Sequence, residues 1–105
     1  MKWSEHLYVG DQVKRYADRV RKRLNKGKSD VGHYLITLAE NDRDQLDIIN
    51  TMFLMTDRSR DRLPLVLGIA STRGEALDLV RQMTEDCLND TGTADLRAYF
   101  VGEER

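Results

Sequence analysis

Apolar positions along the chain change period several times, and those changes outline the expected elements. Val13, Tyr16, Ala17, Val20 and Leu24 recur at helical spacing, with Lys14 and Arg21 flanking the stripe and Arg15, Arg19, Lys22 and Lys26 behind it. Asp11 follows Gly10 as a candidate N-cap, and Gly27-Lys28-Ser29-Asp30 reads as a stop and turn. This predicts an amphipathic basic helix over 12–26. Before it, Trp3 and Leu7 lie four residues apart and would share a helical face docked on the body.

Residues 33–39 form a short apolar β-rich run, and 63–70, opened by Pro64, form the strongest strand pattern. Between them Leu46, Ile49, Met52, Phe53 and Thr56 fit one helical face, with Ile48 and Met55 beside it. The same residues also alternate as a strand would, and the acidic entry Glu40–Asp44 favours the helix. Thr72-Arg73-Gly74-Glu75 fits a capping box before a third helix. Its buried stripe would be Ala76, Leu77, Val80, Met83, Cys87 and Leu88, and Gly92 would end it. Leu96, Ala98 and Phe100 alternate with Arg97, Tyr99 and Val101, which predicts a last strand, and 102–105 read as a polar tail.

The predicted fold class is therefore α/β, in αβαβαβ order: a small three-stranded, mainly parallel sheet with helices packed on it. The 105 residues suit one domain, with a basic helical segment at 1–28 and a βαβαβ core at 31–102. In simple strand order the second and third helices cover one face. The basic helix or a second subunit must then cover the other, because a parallel sheet with one wet face is uncommon.

Charge is unevenly divided. Residues 1–30 carry nine Lys/Arg against four acids, a balance of +5, so the remainder carries −6 of the net −1. Such asymmetry marks either a binding arm for an acidic partner or a basic helix packed on an acidic body. Cys87 is the single cysteine, which excludes an internal disulfide and fits a reducing compartment. No apolar stretch is long enough to span a membrane, and the N-terminus lacks a signal-peptide core. The expected location is the cytoplasm, with no membrane association.

No nucleophile–base pair, metal-ligand spacing or phosphate-loop signature is present, so no cofactor or metal is expected. His6 and His33 are isolated in sequence. The loop Ser71-Thr72-Arg73-Gly74 is the candidate anion site, since a helix N-terminus beyond a strand offers free amides. Glu40 and Asn41 would stand at the same sheet edge. Ile48, Met52 and Met55 form a candidate interaction surface, as methionine-rich faces adapt to partners. Arg15, Arg19, Lys22 and Lys26 form the basic face. No aromatic residues interleave with those cations, and the pI of about 6.1 argues against nucleic acid. The leading expectation is a non-enzymatic binding or protein-interaction module, a homodimer or a partner of acidic proteins. The alternatives are a small-anion sensor or minimal enzyme and a weak non-specific nucleic-acid binder.

Overall fold

The computed structural model describes residues 1–101, and the tail at 102–105 lies outside them. The chain is mixed α/β. Strand β1 (Trp3–Val9) leads to α1 (Ala17–Asn25), followed by β2 (Tyr34–Leu38) and β3 (Leu46–Asn50). A short 3-10 turn at Thr51–Phe53 and α2 (Asp57–Asp61) precede β4 (Val66–Ala70), α3 (Arg73–Thr91) and α4 (Leu96–Val101). The sheet has four strands in the order β1-β4-β2-β3. Only β1 and β4 run parallel; β2 is antiparallel to both β4 and β3.

The three-stranded, mainly parallel sheet expected from the sequence is thus replaced by a mixed sheet, for two local reasons. The acidic entry at 40–44 is a reversal and not a helix cap. Asn41 Oδ1 accepts the amides of Arg43 (2.9 Å) and Asp44 (2.7 Å), turning the chain so that β3 pairs back on β2. Residues 46–50 therefore follow the strand alternation, and the helical stripe Ile48–Met52–Met55 does not form. Second, Trp3–Val9 is a strand and not part of a helix, and it supplies the parallel neighbour of β4.

The expected final strand is α4. Leu96 and Phe100, four residues apart, are its buried positions, and Asp95 Oδ1 accepts the Ala98 amide at 3.0 Å as a helix cap. Phe100 meets the Tyr8 ring edge-on with centroids 6.2 Å apart. Helix α1 starts later than the pattern implied: residues 11–16 are turns, Tyr16 holds the N-cap position, and Asp11 caps nothing.

Both sheet faces are covered within the monomer. On one side α3 and α4 bury Ala76, Met83, Cys87, Leu96 and Phe100 against Ile36, Leu38 and Leu67. On α3 the buried stripe is rotated from expectation, leaving Leu77 and Leu88 exposed while Leu79 packs inward. On the other side Val13, Ala17, Val20 and Leu24 pack on Leu35, Val66 and Ile69. The basic helix therefore docks on its own chain. Trp3 reinforces it, donating Nε1–H to Asn25 Oδ1 at 2.8 Å beneath the Arg21 guanidinium.

The ends of β1 and β4 are joined by one side chain. Glu75 is 9% exposed. Its carboxylate accepts the Gln12 amide at 2.7 Å, the Ser71 amide at 2.9 Å and the Ser71 hydroxyl at 3.2 Å. Thr72 Oγ1 accepts the Glu75 amide at 3.0 Å, so half of the expected capping box is present while the carboxylate reaches farther, to the loop after β1. Gly10 is required by that reach: a Cβ there would stand 2.2 Å from Glu75 Oε1.

Across the α3 face, the Tyr8 hydroxyl donates to Asp86 Oδ2 at 2.5 Å. Burial, and then Asp86, push the Tyr8 hydroxyl well above its ordinary range, while the bonds from Tyr8 and Gln82 hold Asp86 below the usual aspartate range.

Two outcomes are expected. Glu75→Ala should lose about 2 kcal/mol in urea unfolding, because two amides and a hydroxyl lose a charged acceptor. Gly10→Ala should reproduce most of that loss, and the double variant should be clearly less than additive; full additivity would contradict the clamp. Tyr8→Phe should cost about 1 kcal/mol near neutral pH. The depressed Asp86 stabilises the fold above the ordinary aspartate pKa of about 4 and loses that contribution as pH falls below it; the raised Tyr8 stabilises it below about pH 10 and loses that as pH climbs. The gap between wild type and Tyr8→Phe should therefore narrow at both extremes; a gap of constant size from acid to alkali would contradict the pairing.

Candidate functional site

Because β2 opposes β4, the two loops expected to share one sheet edge lie at opposite ends. Register pairs Tyr34 with Ala70, so the start of β2, not its end, stands beside Ser71. Glu40 and Asn41 sit at the far end. There Arg97 Nη2 donates to the carbonyls of Ala39 (3.2 Å), Asn41 (2.7 Å) and Asp44 (2.7 Å). Glu40 borders a surface hollow with Arg58 and Arg62.

The Ser71–Gly74 loop occupies the place where open parallel strands present ligands, the carboxyl ends of β1 and β4. It already carries an anion of the chain's own, since Glu75 draws on the Ser71 and Gln12 amides. The one Ser71 hydroxyl proton is shared between Glu75 and Gln12 Oε1, which lies 3.0 Å from Oγ. Thr72, Arg73 and Gly74 are exposed beside it.

A strongly cationic surface lies along α1 and the turns at its ends. Arg15, in the turn before α1, and Arg19, Lys22, Arg23, Lys26 and Lys28 border a groove of about 460 Å³ whose single acid is Asp18. Among the described residues the salt bridges are His33–Asp30 and Arg60–Asp57, so none of these six cations is neutralised by a carboxylate. Arg19, Lys22 and Arg23 stand outward because Ala17, Val20 and Leu24, on the opposite side of the same helix, are buried; Arg15, Lys26 and Lys28 flank them from the turns at its two ends.

A second hollow of about 400 Å³ adjoins the groove and shares Arg19 and Arg23 with it. Its wall adds Tyr16, Val20, Asp30 and His33. Tyr16, placed by periodicity in the apolar stripe, is 46% exposed and lies under the Arg19 guanidinium at 5.2 Å. An aromatic ring therefore does stand among the cations. Arg23 Nη2 donates to Ser29 O at 2.8 Å, which restrains its fork. His33 Nδ1 is 2.7 Å from Asp30 Oδ2, and the same oxygen accepts the Thr51 hydroxyl at 2.7 Å. Asp30 and Thr51 are buried; they fix the imidazole and leave Nε2 without a hydrogen-bond partner among the described residues.

Sequence reasoning missed this trio because Asp30, His33 and Thr51 meet only when β3 folds back onto β2. The i, i+3 spacing of Asp30 and His33 was the one local signal. No group of three or more His, Cys, Asp or Glu side chains suited to a metal is found among the described residues. Cys87 is buried, with Sγ against Thr93 O at 3.2 Å.

The candidate interaction residues are split by the fold. Ile48 is half-buried on the α3 side, whereas Met52 and Met55 are exposed with Phe53 beyond the end of β3. No helix among the described residues is long and apolar enough to cross a membrane. No family model, curated protein or solved structure matches the chain.

Proposed function

We propose that this domain is a non-enzymatic binding module that docks an acidic protein segment along the basic face of α1. The observation that carries this reading is the set of six exposed cations around one groove, none of them in a salt bridge with a carboxylate among the described residues. An acidic segment suits the surface better than a long nucleic acid. The face is short, a nine-residue helix and the turns at its ends, and a single aromatic offers no stacking platform. Attraction between opposite charges across an exposed groove raises encounter rate and is screened by salt.

Fluorescence anisotropy with a labelled Asp/Glu-rich peptide tests it. The peptide should bind at low salt and weaken as salt shortens the screening length from about 10 Å at 0.1 M to about 3 Å at 1 M. Arg15→Ala, Lys22→Ala and Lys26→Ala together should weaken binding about tenfold or more, with folding stability changed by under about 0.5 kcal/mol per site. Salt-independent binding, or binding unaffected by the triple variant, would contradict the reading.

A second reading, self-association, is favoured by the position of β3. It is an edge strand paired with β2 alone. The bonds Thr51 N–H to His33 O and Ala39 N–H to Gln45 O turn its odd-numbered backbone groups toward β2, so those of Leu46, Ile48 and Asn50 face outward. Phe53 and Met55, 72% and 66% exposed, extend that edge with apolar surface. On this reading two copies pair through β3. Native mass spectrometry should then show a dimer that Phe53→Asp converts to a folded monomer; a wild-type monomer at every concentration would end it.

A further inference from the structure

We infer that the hollow bounded by Tyr16, Arg19, Arg23 and His33 takes a phosphate monoester carried on the acidic partner, the aryl phosphate of a phosphotyrosine. This rests on the reading of α1 as a dock for an acidic protein segment, and it names the group that such a segment would anchor.

Three features converge on that chemistry. The first is donor geometry. Arg19 and Arg23 lie one helical turn apart on α1 and both border the hollow. Guanidinium groups are permanently charged and match phosphate oxygens with paired N–H donors. Arg23 is already steadied by its bond to Ser29 O at 2.8 Å, so less freedom is lost when its other donors engage.

The second is His33. Its Nδ1 lies 2.7 Å from the Asp30 carboxylate, which accepts the Thr51 hydroxyl and, as a carboxylate, suits a proton on Nδ1. The ring can therefore present only Nε2 to the hollow. An imidazolium held this way donates Nε2–H to a phosphate oxygen while Asp30 balances its charge. An acidic side chain of the partner, with a single charge and a planar head, makes poorer use of three donors than a tetrahedral dianion does.

The third is size and lining. The hollow, at about 400 Å³, is larger than a bare phosphate needs and lies within the range of small-ligand sites. Val20 and the exposed Tyr16 ring supply apolar and aromatic wall for an organic carrier. Arg19 and Arg23 continue into the neighbouring groove, so the acidic residues flanking the phosphotyrosine would run on toward Lys22 and Lys26.

The experiment uses the whole chain and four probes: an Asp/Glu-rich peptide with a central phosphotyrosine, the same peptide with tyrosine, a 5′-phosphorylated oligonucleotide, and phenyl phosphate. Phosphorylation should tighten peptide binding about tenfold or more, as expected for charge-assisted paired bonds. His33→Gln should remove most of that gain while leaving the tyrosine peptide's affinity unchanged within about twofold, since His33 lies outside the groove used by the flanking acids. Phenyl phosphate titrated into isotopically labelled wild-type protein should shift the resonances of residues 16, 19, 23 and 33, a readout that does not depend on any variant folding. Equal binding of the two peptides would overturn this inference and leave the acidic dock standing. Binding of neither peptide would overturn both. Phosphate-dependent binding unchanged by His33→Gln, or phenyl phosphate shifts elsewhere, would remove the phosphate from this hollow. Tighter binding of the oligonucleotide than of the phosphopeptide would overturn the acidic-protein partner.

Discussion

The Glu75 carboxylate holds together the part of the molecule on which the rest depends. One buried acid at the start of α3 takes the amides of Gln12 and Ser71, so it ties the exits of the two parallel strands to the helix that covers them. Gly10 exists as a glycine for the same reason, since any side chain there would meet that carboxylate. In an open parallel sheet this is the usual ligand position, where strand ends and a helix N-terminus leave amides unsatisfied. Here the chain supplies the anion itself. Positive potential at the strand ends is spent on folding, and the surface with unspent cations is displaced to α1.

That displacement follows from how α1 is used. Its apolar side completes the second half of the core, covering the sheet face opposite α3 and α4. The cations on its back are consequently held on a packed and capped body instead of a loose arm. Gly27, with φ of 75°, ends the helix in the left-handed region that glycine favours. The chain then returns through Ser29 and Asp30 to the sheet, which brings His33 beside Arg23. A hairpin formed for reasons of sheet pairing thereby places a braced imidazole next to two arginines.

Much of the core was legible in the sequence, and less of the topology. The helices α1 and α3 stood out by their apolar stripes, and β2 and β4 as short, nearly continuous apolar runs, because both faces of those strands are buried. Residues 46–50 satisfied both the helical and the strand period, and the acids before them could be a helix cap or a turn. Asn41 decided it by accepting two following amides, an interaction that composition alone does not distinguish from capping. At 96–101 alternation was the wrong period, because Leu96 and Phe100 are used at i, i+4 and Asp95 caps them. The basic face was readable from charge spacing. The adjoining hollow was not, since Tyr16, Asp30, His33 and Thr51 come together only through a pairing that the sequence left open.

Glu75 neutralises the sheet end from within, and the proposed dock for an anionic partner lies instead on the exposed cations of α1 and its flanking turns. The most direct measurement is a two-dimensional amide NMR titration of the labelled protein with poly-glutamate at low salt. Shift changes should concentrate at residues 15–33 and leave Gln12 and Ser71 to Gly74 in place. Changes centred on Gln12 and Ser71 to Gly74, with α1 unmoved, would contradict the account and return the binding site to the strand ends.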